Sequence, residues 1–380
     1  MKLALQVALE SRRETFLAHY PRSLKMAMAT VLLIPMFALV LIMGKSKPAH
    51  LIVEPQEQQQ DQYQNTSHER ADREPQVSSE ALLANRTARQ EVPLTEAEKH
   101  AAQQNDDYAN ALMAPPNSAL IEKRQNNSLP KISSQGDKPW EYYARPFNSL
   151  DPRPRIALVI VDLGLSRIAT DSAVHRLPGP VTLVFDVQGM AIKEWLARAR
   201  ADGHETLLSL PMEPVDYPRN DSGPGSLLMS LSNQENMERL TKFLSAGIGY
   251  VGVTTMTGSR FLSDPQKIRP ILQEVKQRGL MVFDAEISSY SALFELAQEY
   301  HVPATMNSLK IDQNLTPYDI EQALLRVEKI ARAKGHVVAI ASPLPLTLDQ
   351  ISSWIQTLKE KGFVLAPLSA VVKGKQLYGS

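Results

Sequence analysis

The chain of 380 residues contains no cysteine and carries no net charge, because its 41 basic side chains balance its 41 acidic ones. The absence of cysteine excludes disulfide bonds, thiolate metal sites and cysteine nucleophiles. The absence of excess Lys and Arg argues against bulk electrostatic binding of nucleic acid. A glycine-rich phosphate loop is also missing, since the first predicted strand of the C-terminal half leads into DLGL from Asp162. We therefore expect neither nucleic acid nor nucleotide as a partner.

A long hydrophobic run occurs at Met26–Gly44, which contains no charged residue. At about 1.5 Å per residue it can span the roughly 30 Å hydrocarbon core of a membrane. Basic residues crowd its N-terminal side, so the positive-inside rule predicts residues 1–25 in the cytoplasm and the rest outside. A cleaved signal peptide is the alternative, but residues 41–47 lack a small-x-small cleavage site. The sequence therefore predicts a single-pass anchor.

Residues 45–137 are polar and rich in Gln, Asn and Ser, which predicts a disordered linker. Thr95 and Glu98 form a capping-box pattern that predicts one helix, formed transiently. The linker is interpreted as a passive spacer, with a partner-binding segment as the alternative. Four aromatic residues are expected to pack on the folded domain as an N-terminal strap: Trp140, Tyr142, Tyr143 and Phe147.

Residues 138–374 form the predicted folded domain, and residues 375–380 a tail. Apolar runs of strand length occur at Ile156–Val161, Val181–Phe185, Thr206–Leu210, Tyr250–Val253, Leu280–Phe283, Val337–Ala341 and Phe363–Ala366, with a weaker one at Pro303–Met306. Helical patterns lie between them at Ala191–Ala201, Asn233–Ser245, Pro265–Arg278, Ser291–Tyr300, Pro317–Lys334 and Leu348–Lys361. This alternation predicts an α/β fold, a distorted (β/α) barrel of seven or eight parallel strands.

The end of such a barrel at which the strands finish, here called the barrel mouth, carries the working residues. The residues predicted there are Asp162, Asp186, Ser209 to Glu213, Thr254 to Ser259, Asp284, Glu286, Asp312 and Ser342. No histidine is expected among them; His204 precedes a strand and is interpreted as a structural hydrogen-bonding residue. Because imidazole holds Zn²⁺ better than carboxylates alone, these carboxylates are expected to bind a hard divalent cation only weakly.

Eight sequence stretches occur in an order that resembles the divergent polysaccharide deacetylase family. They are ARPF (144–147), RPRIALVIVDLGLS (153–166), LPGPVTLVF (177–185), GHETLLSLPMEP (203–214), GPGSLL (223–228), GYVGVTTMTGSRF (249–261), RGLMVFDAE (278–286) and ASPLPLTLDQI (341–351). The family is related to metal-dependent carbohydrate esterases with a distorted (β/α) barrel. The resemblance implies a bacterial envelope setting, with the anchor in the inner membrane and the domain in the periplasm, and an envelope glycan such as peptidoglycan as ligand.

The motifs are degenerate in this chain. Better-equipped members read IDDLG, HLPMEP, NNHMGSR, FLDS and GHP. The corresponding positions here are Val161, Ser209, Met256, Ala285 and Ser342, so the first aspartate and the imidazoles are missing. By the resemblance, the aspartate would be the general base, and the histidines would be metal ligands and general acid.

Two hypotheses follow. The first is a non-catalytic barrel that binds an envelope glycan or a periplasmic protein; the alternative is an active carbohydrate esterase that removes N- or O-acetyl groups with a carboxylate-bound metal. The candidate catalytic and metal residues are Asp162 and Asp284, and the candidate substrate-binding residues are Glu213, Ser259, Arg260 and Glu286. No cofactor is expected, beyond a weakly bound divalent metal.

Each candidate also has a structural interpretation. Asp162 could cap the turn after the first strand, and backbone amides could satisfy Asp284 and Glu286 within their loop. Glu213 could brace a loop by pairing with Arg260.

Overall fold

The computed structural model describes residues 95–107, 112–124 and 127–372. The predicted cytoplasmic segment 1–25, the membrane span 26–44 and the tail 375–380 lie outside these residues, as does much of the predicted linker. Among the helices of the described residues, none is both long and apolar enough to cross a membrane.

The domain is an alternation of parallel strands and helices. The strands are β3 (Arg155–Leu163), β4 (Thr182–Asp186), β5 (Thr206–Ser209), β6 (Gly252–Thr254), β7 (Met281–Asp284), β8 (Ala304–Met306), β9 (Leu309–Lys310), β10 (His336–Ala341) and β11 (Val364–Leu365). The helices that accompany them are α3 (Arg167–Arg176), α4 (Ile192–Ala201), α5 (Asn233–Leu244), α6 (Pro265–Gln277), α7 (Leu293–Glu299), α8 (Pro317–Lys334) and α9 (Pro345–Ile355). The predicted α/β class is confirmed.

The sheet curls into a distorted barrel, as predicted. Its strands follow the order β8-β7-β6-β5-β4-β3-β10-β9, and β11 also pairs with β3. The two end strands, β8 and β9, are joined by the two residues between them. The N–H of Asn307 donates to the backbone carbonyl of Asp284 on β7, and the N–H of Ser308 donates to that of Val338 on β10. Apolar side chains fill the inside of the sheet, among them Val159, Leu207 and Phe283.

The helices begin where the sequence supplies a cap. Ser232 and Glu235 form a complete capping box at α5, and Thr316 accepts from the amide of Asp319 at α8. Side-chain oxygens at these positions satisfy amides that have no partner within the helix. The spacing of apolar residues did not predict α3, because its sequence RIATDSAVHR has too few of them to form an apolar face.

The domain begins before residue 138, where the linker was predicted to end. Helix α1 (Glu96–Asp107) starts at the predicted capping box, in which the N–H of Thr95 donates to Glu98 at 2.8 Å. Strands β1 (Ile121–Arg124) and β2 (Asn127–Pro130) form an antiparallel hairpin. The predicted disorder of 45–137 is therefore wrong for residues 112–124 and 127–137. Composition alone hid this order, because two apolar residues, Leu120 and Leu129, are each 1% exposed and hold the segment to the barrel.

The end of the barrel opposite the mouth is closed by a buried polar network. The Glu205 carboxylate accepts from the amides of Arg145 at 2.8 Å and Ser369 at 3.1 Å, and from the Ser369 hydroxyl. Arg200 donates to the carbonyls of Tyr143 at 2.9 Å and Met113 at 3.0 Å. Burial raises the pKa of Glu205 and lowers that of Arg200 to about 10.

A short helix, α2 (Pro139–Tyr142), lies within the N-terminal strap. Trp140 and Tyr143 are buried in the apolar cluster inside the barrel, as the strap prediction required.

Candidate functional site

The positions that carry acid and imidazole in better-equipped relatives are apolar or hydroxylic here. Val161, near the end of β3, is fully buried and belongs with Ala285 to the apolar cluster inside the barrel. Met256 packs against the same cluster. Ser209 ends β5, where it lies in register with Asp186 of β4. The strand ends at the mouth are therefore present, but the acid and imidazole side chains of better-equipped relatives are not.

Asp162 lies at an irregularity in β3. The register against β4 shifts between Ile160 and Leu163, and the backbone of Asp162 has a φ of 60°. Left-handed backbone is uncommon for residues other than glycine, although Asp tolerates it better than most. The Asp162 side chain is partly buried, near other charged groups at the mouth.

The charges at the mouth interact. Burial raises the pKa of Asp162, the neighbouring charges of Asp186 and Asp312 raise it further, and the Lys310 ammonium opposes them. Burial also raises the pKa of Asp186, although its Oδ1 accepts from the amide of Gln188 at 2.8 Å. Lys310 was missed as a site residue because β9 is too short to be recognised as a strand, so its place at the mouth was not visible.

Asp312 is almost completely buried, at 4% exposure. Its Oδ2 accepts from the amide of Ser342 at 2.8 Å and from the hydroxyl of Thr347 at 3.3 Å. Its Oδ1 has no hydrogen-bond partner in the described residues. A buried carboxylate oxygen without a donor is costly, so this atom favours the approach of a donor group.

Asp284 is satisfied within its own loop. Its Oδ1 accepts from the amide of Glu286 at 2.9 Å, and its Oδ2 accepts from the hydroxyl of Ser291 at 2.9 Å. Glu286 is exposed, with a φ of 53°. Asp284 is also not among the charges that shift the pKa of Asp162. The structural interpretation thus fits this pair better than a shared metal site with Asp162.

Glu213 braces the long loop after β5. One carboxylate oxygen lies 3.1 Å from Nη1 of Arg260, and the other accepts from the amide of Met229 at 2.8 Å. The hydroxyl of Ser259 accepts from the amide of Val215 at 3.0 Å. The pairing of Glu213 with Arg260 predicted from the sequence is present, and a role of these three residues in substrate binding stays a prediction.

The donor set does not fit the transition metal of the related esterases. In the described part of the chain, no three His, Cys, Asp or Glu residues are grouped so as to hold a metal. His204 is buried at the closed end, where its ring nitrogens lie 2.7 Å from the carbonyl oxygen of Val181 and 3.0 Å from that of Val174. Burial lowers its pKa, in keeping with the structural role predicted. His336 begins β10, at the end away from the mouth.

Comparison with known proteins identifies the family. The crystal structure of an uncharacterised protein, ATU2773 from Agrobacterium tumefaciens C58, is 32% identical with a TM-score of 0.63, covering 65% of this chain and 100% of that one. The uncharacterised protein YibQ of Escherichia coli K12 is 24% identical over 224 residues, or 59% of this chain and 67% of that protein. An uncharacterised Haemophilus influenzae protein is 21% identical over 206 residues, or 54% and 72%. The protein-family model described as divergent polysaccharide deacetylase matches residues 158–372, which is more than half of the chain. The chain therefore belongs to the divergent polysaccharide deacetylase family.

Proposed function

We propose that the domain is a non-catalytic member of this family, which binds an envelope glycan or a periplasmic protein at the mouth. The observation that carries this proposal is the set of residues at the former catalytic positions. Val161 cannot accept a proton, and Ser209, Met256 and Ser342 offer no imidazole. Deacetylation needs both activation of water and stabilisation of an oxyanion, which a metal normally supplies in this class of enzyme.

The alternative, an active esterase with a carboxylate-bound metal, requires Asp162 and Asp284 to act together. Both oxygens of Asp284 already accept hydrogen bonds, from Glu286 and Ser291. These bonds hold the Asp284 carboxylate within its own loop, although each oxygen keeps a second lone pair. In the described residues no group of three His, Cys, Asp or Glu residues could hold a metal, and this favours binding over turnover.

The proposal includes the anchor. Met26–Gly44 would cross the inner membrane once, with residues 1–25 in the cytoplasm and the barrel in the periplasm. A reporter fused after Lys47 tests the orientation: periplasmic activity is expected, and cytoplasmic activity would contradict it.

Restoring the missing ligands tests the mouth itself. We expect Ser209→His combined with Met256→His to add one tight Zn²⁺ site beside Asp162, because the strand ends that carry these positions are in place. Isothermal titration with Zn²⁺ compares this variant with the wild type. The proposal is wrong if the wild type has a tight site that Asp162→Ala removes.

A further inference from the structure

Exposed apolar side chains are concentrated at the barrel mouth. Leu165 and Ile168 follow β3, and Met190 follows β4. Tyr290 follows β7, and Leu315 and Tyr318 follow β9. We call these six residues the apolar rim. Three further exposed apolar residues lie at the same end of the barrel: Val215, Met306 and Leu344. In the described part of the chain, those exposed away from the mouth are Met113, Leu150 and Leu325.

The side chains of the apolar rim are highly exposed to solvent. Ile168 is 82% exposed, Tyr290 80% and Met190 77%. Single exposed apolar side chains are ordinary, but their collection at one end of a domain is typical of a surface that another molecule covers. Leu165 and Met190 also line a groove of about 200 Å³, a volume that accepts a side chain.

The chemistry of the rim favours a protein over a sugar. Sugars stack on aromatic rings and bond to polar groups, which only Tyr290 and Tyr318 of the rim offer. The other four rim residues are aliphatic and offer neither: Leu165, Ile168, Met190 and Leu315. Met and aromatic residues are enriched in the cores of protein interfaces.

The charged groups inside the apolar rim indicate the chemistry of the partner's contact surface. Around Asp162, the charges of Asp186 and Asp312 are opposed by the Lys310 ammonium. Oδ1 of the buried Asp312 has no donor among the described residues. An anionic lipid surface, or the mouth of a second copy, would bring like charges together. A Lys or Arg side chain would supply both the missing charge and the missing donor.

We propose that the barrel mouth docks a protein whose contact surface presents a Lys or Arg side chain flanked by apolar residues. The apolar rim covers the apolar residues, and the basic group enters among Asp162, Asp186 and Asp312. This proposal rests on the proposed function, because it names the partner that replaces the former substrate.

Photo-crosslinking of the full-length protein in its own cells tests the proposal. The crosslinker p-benzoylphenylalanine is placed at Ile168 or Tyr318, and at Leu325 as a matched control that is exposed on the same helix as Tyr318. Mass spectrometry identifies the crosslinked peptide. We expect both rim positions to reach one protein, at a segment where Lys or Arg adjoins apolar residues, and Leu325 not to reach it.

A charge variant completes the test. Asp162→Asn with Asp186→Asn should lower the crosslink yield roughly tenfold, because each removes a charge partner of the basic group. Adducts with glycan or lipid, crosslinks between copies, equal yields at Leu325, no crosslink, or no effect of the Asn variant would each overturn the proposal. Metal-dependent acetate release by the wild type would overturn the proposed function instead, so the two failures are distinguishable.

Discussion

At the closed end of the barrel both carboxylate oxygens of Glu205 accept hydrogen bonds, whereas at the mouth Asp312 keeps one buried oxygen without a partner. The closed end is covered by the strap and by the segment around residue 368, and its buried carboxylate and arginines are hydrogen-bonded. At the mouth, Asp162 lies near the carboxylates of Asp186 and Asp312 and the ammonium of Lys310. Stability and recognition are therefore divided between the two ends, since unmatched buried charge is costly unless a ligand supplies its partner.

The largest expected effect lies at the closed end. Glu205→Ala should lower the free energy of unfolding by about 3–5 kcal/mol, because it strands the amides of Arg145 and Ser369 and leaves Arg200 without its counter-charge. Urea unfolding of residues 91–380 measures it. Glu299→Ala, an exposed residue on α7, is the control and should change little; equal effects would contradict the account.

The second largest expected loss of stability lies in the β1–β2 hairpin, which is part of the predicted linker. Leu129→Ala should cost about 2–5 kcal/mol, because the side chain is buried against the barrel. The exposed Leu325→Ala serves as control in the same unfolding measurement. A cost for Leu129→Ala no larger than that of the control would mean that the hairpin is not part of the cooperative domain.

The sequence predicted the barrel because most of its strands are continuous apolar runs, and short runs of this kind that alternate with helical patterns are typical of a parallel sheet buried on both faces. It predicted the loop pair Glu213 and Arg260 from charge and position. It could not reveal the hairpin, where two leucines in a polar stretch decide the structure by a long-range contact that no local pattern records.

The mouth was predicted only in part. Asp162 and Asp284 were grouped because both follow strands, but the register shift at Asp162 and the hydrogen bonds from Glu286 and Ser291 to Asp284 separate their roles. A shift of register depends on pairing between distant strands, so it does not appear in the local sequence.

A moderate effect is expected in the long loop after β5. Glu213→Ala should cost about 1–3 kcal/mol, because the partly buried amide of Met229 loses its acceptor. Arg260→Ala should cost about 1 kcal/mol or less, since the arginine is half exposed and the ion pair is screened. Thermal unfolding of both variants checks the order, and a larger cost for Arg260→Ala would reverse our interpretation of the loop.

The smallest effects are shifts in the titration of Asp162. Lys310→Met should raise its pKa, and Asp312→Asn should lower it, because these charges act on it with opposite signs. Carbon-13 NMR of the carboxyl group measures both shifts, and shifts of the same sign would refute the arrangement.

The raised pKa also links Asp162 to stability. The folded state holds this proton more tightly than the unfolded state, so stability present below the ordinary Asp pKa is lost as pH rises through the folded-state value. Asp162→Asn should flatten the pH dependence of unfolding over that interval.

The central claim, that the mouth recognises a ligand without turning it over, is tested most directly by acetate release. Full-length protein in excess is mixed with acetylated chitooligosaccharide or peptidoglycan, in the presence of Zn²⁺, Mn²⁺ or a chelator. We predict release at the rate of the protein-free control under every condition. Metal-dependent release that Asp162→Ala abolishes would contradict the claim.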